Sequence, residues 1–220
     1  MTKIEKKKEI FIESEFPEIE VKTTQGDIKL PHEYKRKWFI LFIYPGDFTP
    51  VSATEFITFS KHKDQLTNLN CHLVGMSLDG IYSHLKWMQW FKEEMETSLF
   101  FPIIAGNHEI YKILGIPSRA RKIIGIRKTI IVNPKGIIKA ILDYPRQIGR
   151  NVNEIIRIVE ALKTAEEQDA MAPANWPDND LIKNRVVLFP AENEQAIEDT
   201  PIELRRYAWW FCYKSLNEDV

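Results

Sequence analysis

Trp38-Phe39-Ile40-Leu41-Phe42-Ile43-Tyr44-Pro45-Gly46-Asp47-Phe48-Thr49-Pro50-Val51-Ser52-Ala53-Thr54-Glu55-Phe56 is the stretch around which the chain is organised. Its opening run, Trp38 to Tyr44, is apolar without a break and rich in aromatic and β-branched residues, the pattern of a strand buried on both faces. Pro45 and Gly46 stop that strand. Beyond them Phe56, Phe59 and Leu66 share one helical face, with Lys61, Lys63 and Asp64 off it. Helix-start signals crowd the junction: Thr49 before Pro50, and Ser52 with Glu55 at capping-box spacing. The stretch is therefore a buried strand turning into a helix. Such a turn aims backbone N–H groups and a positive dipole end at whatever side chain sits in the first helical turn.

Upstream, Ile10-Phe11-Ile12 and Ile19-Glu20-Val21, broken by Phe16-Pro17 and by a turn at Gln25-Gly26-Asp27, predict loose N-terminal strands or an edge hairpin. Downstream, Cys71 to Ser77 predicts a second buried strand. From Ile81 the spacing of Leu85, Met88, Phe91 and Met95 predicts a helix with that stripe inward. Phe100 to Ala105 predicts a short strand, and Glu109 to Leu114 a short helix stopped by Gly115 and Pro117. A basic segment, Arg119 to Lys128, leads into Thr129-Ile-Ile-Val132. Asn133-Pro-Lys-Gly136 is a strong turn signal, and Ile137 to Leu142 returns as a strand. After Gly149-Arg150-Asn151 the residues Val152, Ile155, Ile156, Val159 and Leu162 form the most regular helical face in the chain. This order predicts an α/β class: a three-layer, thioredoxin-like fold with a mixed central sheet, carried by residues 1–164. The rest, 165–220, holds the irregular Ala172-Pro-Ala-Asn-Trp-Pro177, a short apolar Val186-Val-Leu-Phe-Pro190 and the aromatic cluster Trp209-Trp210-Phe211-Cys212-Tyr213. A tail this small has no core of its own and must pack on something else.

Thirty basic against 31 acidic side chains leave a net charge of −1, which gives no reason to expect a nucleic-acid or anionic-membrane partner. No apolar stretch reaches membrane-spanning length, and the charged start lacks the apolar segment of a signal peptide. With only Cys71 and Cys212, a disulfide-stapled secreted domain is excluded, and a reducing, cytoplasmic location is the expectation. The five histidines show no ligand spacing, so no metal is expected; with no P-loop and no dinucleotide fingerprint, no cofactor is expected either. No Cys-x-x-Cys occurs, so the domain is not a dithiol carrier. The absence of Gly-x-Ser-x-Gly argues against Ser52 as a hydrolase nucleophile.

Pro45-Gly-Asp-Phe-Thr49-Pro-Val-Ser52-Ala-Thr-Glu55-Phe resembles the active-site motif of the peroxiredoxins, Pro-x-x-x-Thr-x-x-Cys, in the long one-cysteine-like subgroup common in archaea. The resemblance runs from about residue 13 to at least 163, and Pro-Ala-Asn-Trp-Pro and Trp-Trp-Phe-Cys resemble that subgroup's C-terminal extension. It implies a thiol-dependent peroxidase acting on hydrogen peroxide and organic hydroperoxides through a cysteine sulfenic acid. It also implies a thioredoxin-like or small-thiol reductant, dimers in which the extension packs on the partner, and a ring of about five dimers.

The same resemblance assigns roles. Thr49 would hydrogen-bond the nucleophile and the peroxide, its plain structural alternative being a helix cap. Pro45 would shield the site from water, and Glu55 is a matching motif position. Arg127 matches the arginine that stabilises charge on the peroxide, and Arg150 a second active-site arginine; both could instead be ordinary surface charges. Cys212 is the candidate resolving cysteine, or else a small hydrophobe among aromatics. Cys71 opens a buried strand and reads as inert core. Tyr44 could be only the last buried residue of its strand, and His84 and Trp87 could be helix packing near the pocket. Ser52 stands where the family has its peroxide-attacking cysteine. A serine there cannot follow the sulfenic route, so the chain is either an engineered Cys→Ser form or a natural paralogue that has lost the nucleophile; the intact surroundings favour the engineered form, and no peroxidase turnover is expected. The alternative is a catalytically silent oligomer acting as a holdase chaperone or scaffold.

Overall fold

A computed structural model describes residues 10–116, 126–198 and 204–216. Within the first unit, which runs to Val152, the elements are β1 (Ile19–Thr23), β2 (Gly26–Leu30), β3 (Trp38–Ile43), α1 (Pro50–Lys61), α2 (Lys63–Asn68), β4 (Cys71–Ser77), α3 (Ile81–Glu94), β5 (Ile103–Ala105), α4 (His108–Ile113), β6 (Arg127–Val132) and β7 (Ile138–Tyr144). The strands form one seven-stranded mixed sheet in the order β2-β1-β5-β4-β3-β6-β7. β3, β4 and β5 run parallel, while β6 is antiparallel to β3. This is the thioredoxin-like α/β fold that the element order predicts.

β3 is buried at all six positions because both faces of the sheet are covered. Successive side chains alternate between faces. Phe39, Leu41 and Ile43 join Val74, Met76 and Ile104 in one apolar cluster that includes Ile110 and Leu114. On the other face, Phe42 packs 5.2 Å from Phe56 and 4.9 Å from Phe59, ring centre to ring centre, and Tyr44 lies 5.7 Å from Trp87. α1 and α3 thus cover one face, α4 the other, and the sheet is the middle layer.

Several local expectations need correcting. The helix expected from Pro50 to Leu66 is interrupted at His62, so Leu66 belongs to α2. In α3 the buried residues are His84, Trp87 and Phe91, whereas Leu85 and Met95 are exposed. The inward face is rotated by one residue because the ring nitrogens of His84 find partners inside the protein. Ile10 to Ile12 do not form a strand, and β5 begins at Ile103 rather than Phe100. Pro117 of the expected helix stop and residues 119–125 of the basic segment lie outside the described residues.

The second unit begins at Asn153 and contains nearly all of α5 (Val152–Gln168), with β8 (Val186–Val187), α6 (Glu194–Glu198), β9 (Arg205–Ala208) and β10 (Phe211–Lys214). β10 pairs antiparallel with both β8 and β9, so the aromatic cluster near the end is a small sheet with one hairpin. Neither that hairpin nor α6 is evident from the sequence. Arg157 fastens the irregular connector to α5: its guanidinium holds Glu154 at 2.6 Å and donates to the Trp176 carbonyl at 2.9 Å. Among the described residues, no helix is long and apolar enough to cross a membrane.

Candidate functional site

The end of β3 and the start of α1 meet where the sequence turns at Pro45. α1 begins at Pro50 with Thr49 as its N-cap residue. Proline at the first helical position presets the backbone there and needs no hydrogen-bond acceptor. Ser52 consequently sits inside the first turn, fully buried, rather than capping the helix. The expected capping box is not made. Glu55 is turned to two arginines, and their charges outcompete a single backbone N–H as partner.

Ser52 Oγ is a point of convergence. The Thr49 hydroxyl lies 2.7 Å from it and also donates to the Gly46 carbonyl at 2.7 Å. A carbonyl has no proton to give, so the Thr49 proton goes to Gly46 and the Ser52 hydroxyl donates to Thr49. From the other side, Arg127 Nη1 donates to Ser52 Oγ at 3.1 Å. Arg127 opens β6, and the antiparallel pairing of β6 with β3 brings that end of β6 beside the end of β3. The sheet register thus delivers a residue 75 positions downstream to the start of α1.

Glu55 links the two arginines. Its Oε2 accepts from Arg127 Nη1 at 2.8 Å and from Arg150 Nη1 at 2.9 Å, and its Oε1 accepts from the Arg150 backbone N–H at 2.9 Å. The second guanidinium nitrogen of Arg150 donates to the carbonyls of Ile43 and Lys128. Arg127, Arg150 and Glu55 are all buried. Two cations and one anion leave one net positive charge inside the protein beside Ser52. Burial pushes the Arg150 guanidinium down to about 10, against the opposing pull of Glu55. Among the described residues, the Nε atoms of both arginines are buried with no hydrogen-bond partner. Fixed donors of this kind can stabilise negative charge on an oxygen without rearrangement.

A second network lies behind the turn. The Tyr44 hydroxyl donates to Asp47 Oδ1 at 2.7 Å. His84 Nδ1 is 2.8 Å from Asp47 Oδ2, and its Nε2 is 3.2 Å from the Ile104 carbonyl. The Asp47 backbone N–H donates to Asp79 Oδ2 at 2.8 Å. Burial first, then the Asp47 charge, pushes the Tyr44 phenol well above its usual value. Sequence reasoning places Tyr44 and His84 near the pocket but misses Asp47 and Asp79. The available signal is a pair of aspartates in the turns that end β3 and β4.

The structure brings Thr49, Ser52, Glu55, Arg127 and Arg150 together, with Pro45 at the entrance to the turn. Cys212 lies in the second unit, buried in β10. Cys71 opens β4, and burial pushes its thiol up to about 12.

Residues 12–141 match the AhpC/TSA family. A peroxiredoxin of Methanocaldococcus jannaschii is 45% identical over 214 residues, covering 94% of this chain and 99% of that protein. A peroxiredoxin of Methanothermobacter marburgensis is 43% identical over 208 residues, covering 94% of this chain and 99% of that protein. Among solved structures, that of the yeast mitochondrial 1-Cys peroxiredoxin, described for thiol resolution via glutathione and thioredoxin systems, is similar with a TM-score of 0.80. It is 27% identical and covers 93% of this chain and 98% of that one.

These similarities correct three linked expectations: that the chain is an engineered Cys→Ser form, that it lacks turnover for that reason, and that enzymatic function is thereby lost. The relatives named peroxiredoxin align over nearly the whole chain, and the chain keeps two free thiols, Cys71 and Cys212. Sulfenic chemistry needs an oxidisable sulfur on the chain rather than at one fixed position. Inactivity therefore does not follow from the serine at position 52.

Proposed function

This chain belongs to the AhpC/TSA family, and from that premise we propose that it is a thiol-dependent peroxidase reducing hydrogen peroxide and organic hydroperoxides. The observation that carries this reading is the convergence of Thr49 and Arg127 on Ser52 Oγ, beside a buried cluster of net positive charge. The Thr49 hydroxyl and the Arg127 guanidinium are the donors that this cluster offers to a peroxide oxygen. Glu55 and Arg150 hold Arg127 in place, and Pro45 shields the turn from water.

The reacting sulfur is that of Cys212. Position 52 carries none, and Cys71 is locked in β4 with its thiol pushed up to about 12. Cys212 is thus the thiol that is oxidised rather than one that resolves another. Its thiolate attacks one peroxide oxygen and the O–O bond breaks. The bonding pair leaves with the other oxygen, which takes a proton to become water or an alcohol, and the sulfur becomes a sulfenic acid. A thioredoxin-like or small-thiol reductant condenses with the sulfenic acid, releasing water and forming a mixed disulfide. A second thiol then frees Cys212. By family analogy, the setting is cytoplasmic, the extension 165–220 packs on a dimer partner, and about five dimers close a ring.

Peroxide consumption with dithiothreitol tests this. The chain should exceed the reductant alone, Cys212→Ser should fall to that background, and Arg127→Ala should lose about 100-fold. No consumption above background, or consumption indifferent to Cys212→Ser, overturns the assignment.

A further inference from the structure

We propose that His84 is a positioning residue for this pocket, acting through Asp47 on the Thr49 hydroxyl. The functional side of this inference rests on the peroxidase reading; its structural side does not.

The turn between β3 and α1 is held from two directions at one residue. The Asp47 carboxylate faces His84 Nδ1, with Oδ1 at 3.0 Å and Oδ2 at 2.8 Å, and accepts from the Tyr44 hydroxyl. Its backbone N–H donates to Asp79, which is itself held by the Ser77 hydroxyl at 2.7 Å. The His84 and Asp47 side chains are 0% and 1% exposed. Each ring nitrogen of His84 faces an acceptor oxygen, Nδ1 the Asp47 carboxylate and Nε2 the Ile104 carbonyl. A buried pair of this kind fixes the relative placement of the elements that carry it, here α3, β5 and the turn.

The next residue shows what the fastening is for. Phe48 adopts φ +53°, a left-handed conformation that a bulky side chain holds only when its surroundings impose it. That reversal swings the chain so that Thr49 Oγ1 reaches back to the Gly46 carbonyl and forward to Ser52 Oγ, both at 2.7 Å. With Asp47 unfastened, Phe48 is free to relax to negative φ and the Thr49 hydroxyl leaves Ser52. His84 touches none of the groups that meet the peroxide, so its effect passes entirely through Asp47 and Thr49.

Two conservative variants test the assignment in the full chain. Asp47→Asn keeps the backbone bond to Asp79 but removes the charge, and Tyr44→Phe keeps the ring packing but removes the hydroxyl. The nuclear magnetic resonance signals of the Thr49 amide and side chain should shift in both folded variants, and in His84→Gln if it folds. Turnover should fall about tenfold to a hundredfold, mainly in kcat. In a Thr49→Val background the same substitutions should cost nothing further. Unmoved Thr49 signals in folded Asp47→Asn and Tyr44→Phe overturn the proposal, as do losses that add fully to that of Thr49→Val. If the unsubstituted chain shows no turnover, the peroxidase reading fails, while the Thr49 signals still decide the role of His84.

Discussion

Cys71 and Cys212 are both buried. For Cys71, burial pushes the thiol up from 9.0 to about 12. The unfolded chain loses this proton near pH 9 and the folded chain only near pH 12. Between those values the folded state binds more protons, so stability falls as pH rises; below about pH 9 the contribution is fully present. Removing the thiol removes that slope. Urea unfolding of the chain and of Cys71→Ala, compared from pH 8 to pH 11, should show curves that converge above pH 9 by about 1.4 kcal/mol per pH unit. Tyr34, Tyr44 and Tyr111 also titrate high because of burial, but they are common to both proteins and cancel in the difference. Curves that stay parallel would mean that Cys71 is open to water and remains a candidate nucleophile.

At the scale of elements, Glu55 joins α1 to the start of β6 and to the backbone just ahead of α5. Glu55→Gln keeps the shape but leaves two buried guanidinium groups facing a neutral amide. Breaking a buried ion pair at one partner costs about 3–5 kcal/mol, and a chemical denaturation midpoint lowered accordingly is the expected outcome. An unchanged midpoint would show that the arginines find other partners. The elements themselves were largely legible in the sequence: β3, α1, β4, the β6–β7 hairpin and α5 each carry a clear period or an unbroken apolar run. The inward face of α3 was not, because His84 and Trp87 count as polar or ambiguous until their partners are known. β9 and β10 were hidden for a related reason, since Arg205-Arg-Tyr-Ala208 and Phe211-Cys-Tyr-Lys214 show no clean alternation and gain their pairing from each other and from β8. At the candidate site, Arg127 and Thr49 stand out through their motif. The fastening of Asp47 by His84 joins residues 37 positions apart, and no local pattern reports it.

At the scale of the whole molecule, the chain has a sheet-based unit that holds the buried cluster of Thr49, Ser52, Glu55, Arg127 and Arg150, and a second unit that carries Cys212. Family membership explains the first: the register of β6 on β3 delivers Arg127 to the start of α1, whichever side chain occupies position 52. The second must supply the chemistry if the sulfur at work is not in the pocket. On this account the proposed function depends on Cys212, a thiol distant in sequence from the Ser52 cluster. Trapping of sulfenic acid with dimedone after one equivalent of hydrogen peroxide, followed by mass spectrometry of the peptides, tests that claim most directly. The account predicts the adduct on Cys212 and none on Cys71. An adduct confined to Cys71, or no adduct on either thiol, would contradict it.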